Sequence, residues 1–427
     1  MKNRDKNNIS RRDFIKASAF SLAAIGAGQN RIFAAGSDKI RVGLIGCGDR
    51  GTGAAINCVK STAGVEIAAI ADVFQDKLDN SLAKLNKNVN DKVSVTKENI
   101  FVGFDAYEKL LKTDVDMIIL ATPPHFRPIH VKAAVEAGKH VFAEKPGAVD
   151  PVGVRSLIAS GELAKQKGIS IVVGTQQRRQ PQYQEILRRI HDGQMGEIVG
   201  GQAYWHWNKQ NWHFEDRQAG WSDMEWQIRC WPYFTWLSGD HIVEQHLHNM
   251  DIINWAIGTH PVSCSGMGGR QVRTGPEYGN IYDHFAVEYE YPNGVRVLSM
   301  SSQMAGGLDK VAERVVGTKG QSFTTRSVGY IEGQNAFKYE DKVHSGMEKE
   351  HADLIESIRQ GKPINEAQQL AESTLTVLMG RMSAYTGRAL SWDWVMKSSK
   401  LDLAPEKYEL GDLPVGPVAM PGKTQLI

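Results

Sequence analysis

Short apolar runs alternate with amphipathic segments in the region that follows residue 38. The runs fall at 40–45, 65–71, 115–120 and 140–143. Their length is typical of buried strands, and the segments between them, such as 52–60, have helical spacing. Strands that alternate with helices predict a parallel, doubly wound sheet, because each helix crosses a face of the sheet before the next strand begins.

The pattern changes in the second half of the chain. Polar and apolar positions alternate over 198–207, and strand-like segments recur over 262–304 around a hairpin turn at Asn293-Gly294. Helical spacing returns over 347–359 and 367–385. We therefore predict a first α/β domain over 38–165, a second α/β domain over 166–400 and an extended C-terminal arm over 401–427.

The first 35 residues have the order of an export signal. Arg11 and Arg12 stand before Phe14, and an apolar run covers 17–27. This run is too short to span a bilayer, which takes about 20 helical residues. Adjacent arginines before such a run resemble the twin-arginine signal, an address that a receptor reads. We therefore predict a twin-arginine signal peptide over 1–35, an exported, periplasmic protein and no integral membrane segment in its mature form.

The balance of charges excludes some classes of partner. The chain has 427 residues, with 50 Lys and Arg against 48 Asp and Glu, so its formal net charge is +2. This balance gives no electrostatic basis for nucleic acid as a partner. Four cysteines in a chain of this length cannot form a disulfide framework. The function therefore has to be sought in motifs.

A glycine-rich loop separates the first strand from the first helix. Its residues are Gly46, Cys47, Gly48, Asp49, Arg50 and Gly51. The three glycines give a tight turn, room for a pyrophosphate against the backbone, and close helix–strand packing. Asp72 ends the second strand, where a carboxylate would bond a ribose 2′-hydroxyl and repel a 2′-phosphate. The loop therefore predicts a dinucleotide site that prefers NAD to NADP.

Other polar residues follow the later strands of the same sheet. They are Thr122, Pro123 and His125 after the strand at 115–120, and Glu144 and Lys145 after the strand at 140–143. Ligands of doubly wound sheets bind at the carboxyl ends of the strands. These residues and the glycine loop are therefore predicted to line one crevice.

These motifs together resemble the Gfo/Idh/MocA oxidoreductase family. The resemblance lies in the glycine loop, Asp72, the segment 121–125, the triplet Glu144-Lys145-Pro146 and the segment 244–251. It implies an NAD-binding Rossmann domain, a C-terminal α/β domain with an open, mostly antiparallel sheet, and a homo-oligomer, either a dimer or a tetramer. It also implies oxidation or reduction of a secondary hydroxyl on a sugar or cyclitol.

The resemblance also implies roles for individual residues. Lys145 matches the catalytic lysine and His248 its acid–base partner, and Glu244 stands where most members have Asp. His246 occupies a position that is usually small, and we include Glu244 and His246 among the catalytic candidates. These residue types suit the oxidation of a hydroxyl, because a histidine titrates near neutrality and can take the proton, and a lysine ammonium stabilises the developing alkoxide.

A metal site is an alternative interpretation of the same segment. His241, Glu244 and His248 would share one face of a continuous helix, with Asp251 one turn further on, and zinc sites use such spacings. The remaining ligands are not evident, and a nicotinamide pocket already accounts for the cluster. We therefore predict no metal.

An aromatic segment supplies the candidate substrate residues. Seven of the ten tryptophans lie between 205 and 236, among polar and basic side chains. Flat apolar rings beside polar groups are typical of carbohydrate sites, whereas an aromatic core or an oligomer interface is the alternative. The predicted substrate-binding residues are Arg178, His206, Trp207, Arg229 and His248.

Three functions remain open at this point. The first is an exported NAD-dependent oxidoreductase that acts on a hydroxyl of a sugar or glycoside. The second is a glycosidase of the same family, which oxidises a ring hydroxyl transiently, eliminates the leaving group, adds water and reduces the ketone again. The third is a binding or scaffold protein that retains a dinucleotide without turnover, against which Lys145 and His248 argue.

Overall fold

The structure is a computed structural model that describes residues 39–427. The predicted signal peptide, 1–35, lies outside these residues. None of the helices within 39–427 has the length and apolarity that crossing a bilayer requires.

A six-stranded parallel sheet forms the first part of the described chain. Its strands are β1 (Ile40–Ile45), β2 (Val65–Asp72), β3 (Ile100–Val102), β4 (Met117–Leu120), β5 (His140–Ala143) and β6 (Ile171–Val173). Between them run the helices α1 (Asp49–Ser61), α2 (Gln75–Val89), α3 (Ala106–Leu111), α4 (Arg127–Glu136) and α5 (Pro151–Lys167). The spatial order β3-β2-β1-β4-β5-β6 is that of a Rossmann fold. The predicted doubly wound sheet is confirmed.

The chain returns to this sheet in two places beyond residue 165, where we placed the end of the first domain. Strand β6 lies in the predicted second domain and yet pairs with β5. Helix α11 (Met347–Gln360) packs on α1 and β6. The apolar face of the parallel sheet is therefore covered partly by residues from late in the sequence.

A nine-stranded sheet forms the second part. Strand β7 (Ile198–Trp207) is followed by β8 (Ser263–Gly269), β9 (His284–Glu290), β10 (Arg296–Gln303), β11 (Lys310–Gly317), β12 (Gly320–Thr324), β13 (Gly329–Gly333), β14 (Phe337–Lys338) and β15 (Leu390–Ser391). Only β7 and β10 pair in parallel, within the order β14-β13-β12-β11-β7-β10-β9-β8-β15 of residues 39–427. The mostly antiparallel second sheet is confirmed.

This part also contains helices. They are α6 (Pro181–His191), α7 (Asp223–Arg229), α8 (Thr235–Ser238), α9 (His241–Glu244), α10 (Leu247–Ile257), α12 (Ala367–Thr386) and α13 (Trp392–Lys397). Helix α12 is buried along most of its length and packs against α5 on one side and β8 and β9 on the other. It thereby joins the cores of the two sheets.

The segment that we predicted as one helical face, 241–251, is interrupted. Gln245 and His246 form a turn between α9 and α10. His241 turns away from the predicted cluster, with Nδ1 3.1 Å from Asp240 and Nε2 3.2 Å from the hydroxyl of Ser301. The regular spacing that raised a zinc site is therefore not formed.

The C-terminal arm, 401–427, has neither helix nor strand and lies along its own chain. The N–H of Leu403 donates to Asp150 in the first part, at 2.9 Å. Further along, Gln227 donates to the carbonyl of Leu413, and Tyr282 donates to the carbonyl of Ala419 at 2.9 Å. The arm therefore connects the two parts of its own molecule.

The glycine loop provides a test of the packing between β1 and α1. A Cβ on Gly51 would lie 1.9 Å from the carbonyl oxygen of Gly46, whereas a Cβ on Gly48 would meet no atom within 4 Å. We expect Gly51→Ala to lower the free energy of unfolding by about 3 kcal/mol or more, because the backbone itself must shift. Urea unfolding measures this, with Gly48→Ala as the matched control.

Gly48 has an ordinary φ of −69°, so alanine fits its backbone. We expect the stability of Gly48→Ala to stay within about 1 kcal/mol of the parent. Equal stabilities of the two variants would contradict the close approach of helix and strand.

Candidate active site

A crevice of about 460 Å³ opens at the carboxyl ends of β1, β2 and β4. The glycine loop, Asp72, Thr122 and Pro123 line it from the first part of the chain. His213, Arg229 and Trp231 line it from the second part. The ends of β1, β2 and β4 therefore converge as predicted, whereas His125, Glu144 and Lys145 are not among the residues that line this crevice.

The shape of the glycine loop fits a dinucleotide. Gly46 has φ +95°, and a Cβ there would lie 2.6 Å from the backbone nitrogen of Thr122. Gly48 leaves open space before the N-terminus of α1, where unpaired N–H groups favour a phosphate. The loop thus leaves room for a pyrophosphate where a side chain would otherwise stand.

Asp72 is held in place for the ribose. Its carboxylate accepts the N–H of Cys47 at 2.7 Å and that of Phe74 at 3.0 Å. Burial raises its pKa, and the two backbone hydrogen bonds oppose this effect. A fixed carboxylate at this position matches a ribose that carries free hydroxyls, as in NAD.

The remaining loop residues have protein partners. Lys84 donates to Asp49 at 2.6 Å, which holds the pKa of that carboxyl below its ordinary value. Arg50 pairs with Glu144, whose side chain is buried, and one of its nitrogens lies 3.7 Å from Glu350. Arg50 therefore joins the glycine loop to the strand end that carries Lys145.

Lys145 and Glu244 form an ion pair between the two parts of the chain. The Nζ of Lys145 lies 2.6 Å from Oε1 of Glu244 and 2.5 Å from its backbone carbonyl oxygen. The two side chains are 12% and 7% exposed. Of the three ammonium donors, Glu244 takes two, so one remains for a substrate oxygen.

His248 is buried and lies shortly after Glu244 in the sequence, within reach of the charge of Lys145. Its ring stacks on Trp205 with centroids 6.0 Å apart and planes at 19°, and its Nδ1 is buried without a hydrogen-bond partner in the described chain. Burial holds its pKa well below the ordinary value, and the charges of Lys145, Arg326 and Arg50 lower it further. The imidazole is therefore neutral and able to accept a proton.

Two of the predicted site histidines lie elsewhere. His246 is fully buried, with Nδ1 3.0 Å from Asn249 and Nε2 2.7 Å from Ser299, and burial lowers its pKa to about 3. His125 shares a 2.7 Å hydrogen bond with the hydroxyl of Tyr408 in the C-terminal arm. Both rings are therefore committed to contacts within the protein.

Two of the predicted substrate residues also have structural positions. Arg178 forms a bidentate ion pair with Asp251, at 2.8 and 2.9 Å, and lies over the ring of Trp255. His206 bonds Ser302 at 2.8 Å on the face of the sheet opposite Trp205. The alternation along β7, which we predicted, is what places His206 away from His248.

Arg229 and Trp207 remain near the crevice. Arg229 lines the same crevice as Asp72, the carboxylate predicted to bind the ribose. It pairs with Asp76 at 2.9 Å and covers the ring of Phe74. Trp207 contacts Trp212 edge to face, with centroids 6.0 Å apart. Arg229 therefore fits a role in covering the dinucleotide better than one in binding the substrate.

Sequence reasoning missed two residues at the site. Trp205 is 4% exposed and packs on His248. The alternation of side chains along β7 could have predicted this, because it places Trp205 on the opposite face of the sheet from His206. His213 reaches the crevice because its φ of +48° turns the loop inward. No spacing in the sequence indicates this backbone conformation. Among residues 39–427, no group of three His, Cys, Asp or Glu is arranged to hold a metal.

Comparison with curated proteins gives three informative relatives. The scyllo-inositol 2-dehydrogenase (NAD+) of Bacillus subtilis is 24% identical over 288 residues, which cover 67% of this chain and 73% of that protein. The 2,7-anhydro-N-acetylneuraminate hydratase of Escherichia coli is 27% identical over 42% of this chain and 44% of that protein. A glycosyl hydrolase family 109 protein of Solibacter usitatus is 32% identical over 47% of each chain. The match thus spans less than half the length of the last two relatives.

Solved structures show the same fold. An aldose-aldose oxidoreductase of Caulobacter crescentus superposes with a TM-score of 0.65 at 17% identity, over 83% of this chain and 99% of that one. Two family models match the sequence, an oxidoreductase family model with an NAD-binding Rossmann fold over residues 40–175 and a GFO/IDH/MocA C-terminal domain model over 183–322. Together with the crevice described above, these matches show that the chain belongs to the GFO/IDH/MocA oxidoreductase family and binds NAD.

Proposed function

We propose that this protein transfers a hydride between a secondary hydroxyl of a carbohydrate and NAD. One observation carries the proposal: Lys145, paired with Glu244, and the neutral His248 lie together where the two parts of the chain meet. This is the pair of groups that oxidation of an alcohol requires. NAD, when bound, supplies the hydride acceptor.

Lys145 stabilises charge on the substrate oxygen. Its remaining ammonium donor points away from the two acceptors of Glu244 and is free to bond a hydroxyl that becomes an alkoxide. The pair is mostly buried, so the electrostatic stabilisation is less screened than it would be in water. Glu244 keeps the ammonium in this position.

His248 takes the hydroxyl proton. A neutral imidazole is the form that accepts a proton, and burial together with the charges of three cations keeps it neutral. The face of Trp205 fixes the plane of the ring. We therefore assign His248 the role of general base in oxidation and of general acid in the reverse direction.

A carbohydrate is the substrate class that the surroundings support. Trp207 contacts Trp212, and Trp212 contacts Trp231, which lines the crevice. The indole faces of this group suit the C–H faces of sugars. The likeness to a scyllo-inositol dehydrogenase supports the same class, because a cyclitol also presents secondary hydroxyls on a ring.

The catalytic pair gives a direct prediction. We expect Lys145→Ala and His248→Ala each to lower kcat by about 100-fold or more, because charge stabilisation and proton transfer contribute on this scale. Bound NAD should stay near the parental amount, since neither residue lies in the glycine loop. Single-turnover formation of NADH, followed by absorbance with a panel of glycosides, measures the rates.

Lys132→Ala is the matched control for Lys145→Ala. Lys132 is an exposed helix lysine whose side chain is 62% accessible, and its loss should leave the rate unchanged. Near-parental rates for Lys145→Ala or His248→Ala would remove that residue from the mechanism.

Redox-assisted glycoside cleavage is a second candidate function. The likeness to glycosyl hydrolase family 109 proteins and to a hydratase favours it. In this reaction the substrate loses a hydride, the adjacent C–H loses a proton, the leaving group departs, water adds and the hydride returns. The same lysine and histidine serve its redox steps, so the geometry alone fits both candidates.

Heavy water distinguishes the two candidates. For plain hydride transfer we expect a ketosugar, and turnover that needs an added ketose as hydride acceptor. Transient oxidation would instead release free sugar without an acceptor, and the carbon next to the oxidised one would carry deuterium. Mass spectrometry and proton NMR of the products report both outcomes. Acceptor-independent release of deuterated sugar would replace the first candidate with the second.

We further propose that the protein is exported through the twin-arginine pathway and works as a homo-oligomer. The order of Arg11, Arg12 and the apolar run at 17–27 supports the first point. Fractionation of expressing cells should place the parent in the periplasm and the Arg11→Lys, Arg12→Lys double variant in the cytoplasm. Equal distributions would refute export by this route.

A further inference from the structure

Two buried polar atoms, one in the proposed base and one in the ring stacked on it, have no hydrogen-bond partner within residues 39–427. They are Nδ1 of His248 and the indole Nε1 of Trp205, each in a side chain that is 4% exposed. Buried N–H and N groups are normally hydrogen bonded, so two unpaired ones in stacked rings mark a place for a polar ligand. Trp205 belongs to β7, so this place lies where His248 meets the large sheet.

A guanidinium stands at the edge of this place. Arg326 belongs to the turn between β12 and β13, and its Cζ lies 5.1 Å from the centroid of the Trp205 ring. Its side chain is exposed, and within residues 39–427 it forms no ion pair and no hydrogen bond to a protein acceptor. Its charge nevertheless reaches His248, whose pKa it lowers.

The turn holds Arg326 in a defined position. Gln182 donates its side-chain amide to the carbonyl of Arg326 at 3.0 Å, and Oγ1 of Thr325 accepts the N–H of Val328 at 3.1 Å. The guanidinium is therefore presented by a fixed backbone instead of a free loop.

The nearby carboxylate of Glu313 is not the ion-pair partner of Arg326. Glu313 is buried, and Arg326 lowers its pKa only as the smallest of several effects. Its oxygens already accept from Asn249 at 2.6 Å, from Thr324 at 2.7 Å and from Tyr183 at 3.1 Å. The arginine therefore retains its full set of donors.

We propose that Arg326 binds an anionic substituent of the sugar and so makes the site selective for acidic carbohydrates. The proposal rests on the proposed function, since it places the reacting sugar against His248. A guanidinium offers paired donors that match a carboxylate or a phosphate ester, and its stacking on Trp205 fixes the plane of the fork. The unpaired Nε1 of Trp205 then donates to a sugar oxygen, and His248 reaches the hydroxyl that is oxidised.

Binding of such a group also affects the base. The positive charges of Lys145, Arg326 and Arg50 all oppose protonation of His248. An anion paired with Arg326 cancels one of them, so an acidic sugar makes His248 a stronger base than a neutral sugar does. The substituent is thus expected to raise kcat as well as affinity.

Equilibrium binding tests the proposal separately from catalysis. Glucuronate, galacturonate, N-acetylneuraminate and glucose 6-phosphate are titrated into the NAD-loaded protein by calorimetry, beside glucose and galactose as neutral counterparts. We expect at least one acidic sugar to bind about tenfold or more tightly than its neutral counterpart. Arg326→Gln should remove this difference, whereas Arg296→Gln, an exposed arginine that pairs with Glu288 at 2.6 Å, should keep it.

Each outcome has a definite meaning. A preference for uronates over the phosphate, or the reverse, identifies the anionic group. If no acidic sugar binds in a way that depends on Arg326, the proposal is wrong, even if neutral sugars are oxidised. If an acidic sugar binds through Arg326 and no sugar reduces NAD, the site stands and the proposed hydride transfer fails. Arg326→Lys should retain only part of the affinity, because lysine keeps the positive charge but lacks the paired donors of the guanidinium.

Discussion

A buried ion pair between the two parts of the chain is the constraint on which the site depends. Lys145 follows β5 of the parallel sheet, and Glu244 ends α9 of the other part, so their 2.6 Å contact sets the distance between the parts. Removing one partner of such a pair typically costs about 3–5 kcal/mol, because the other charge stays buried without compensation. The pair is therefore a structural joint as well as the proposed catalytic feature, and variants at either residue have to be tested for stability as well as rate.

The position of Glu244 depends in turn on an unusual piece of backbone. Gly239 and Asp240 both have φ +74°, a conformation that costs a non-glycine residue about 1–3 kcal/mol. Three hydrogen bonds to the carboxylate of Asp240 hold it there, from the N–H groups of His241 and Tyr282 and from the hydroxyl of Tyr385. The turn directs α9 toward Lys145, so residues from late in the chain determine where the carboxylate of this ion pair lies.

Local patterns explain what could be predicted from the sequence, and tertiary contacts explain what could not. The parallel sheet, the glycine loop and the β7 alternation follow from spacing, because strands and helices impose periods of their own. The structural roles of Arg178 and His246 could not be predicted in this way, because their partners, Asp251 and Ser299, are distant in the sequence. The inward turn at His213 likewise depends on a backbone angle that no residue pattern indicates.

Weaker contacts close the crevice from the other side. Arg229 pairs with Asp76 and Lys77 lies 3.6 Å from Glu215, so two ion pairs fasten the second part of the chain to α2. Exposed pairs of this kind contribute about 0–1 kcal/mol each, far less than the buried joint at Lys145. These ion pairs therefore add little to the joint between the two parts. The buried apolar cluster in which Phe74 and Phe126 pack with Trp226 and Phe234 contributes more, so the ribose end of the crevice is closed mainly by burial of apolar surface.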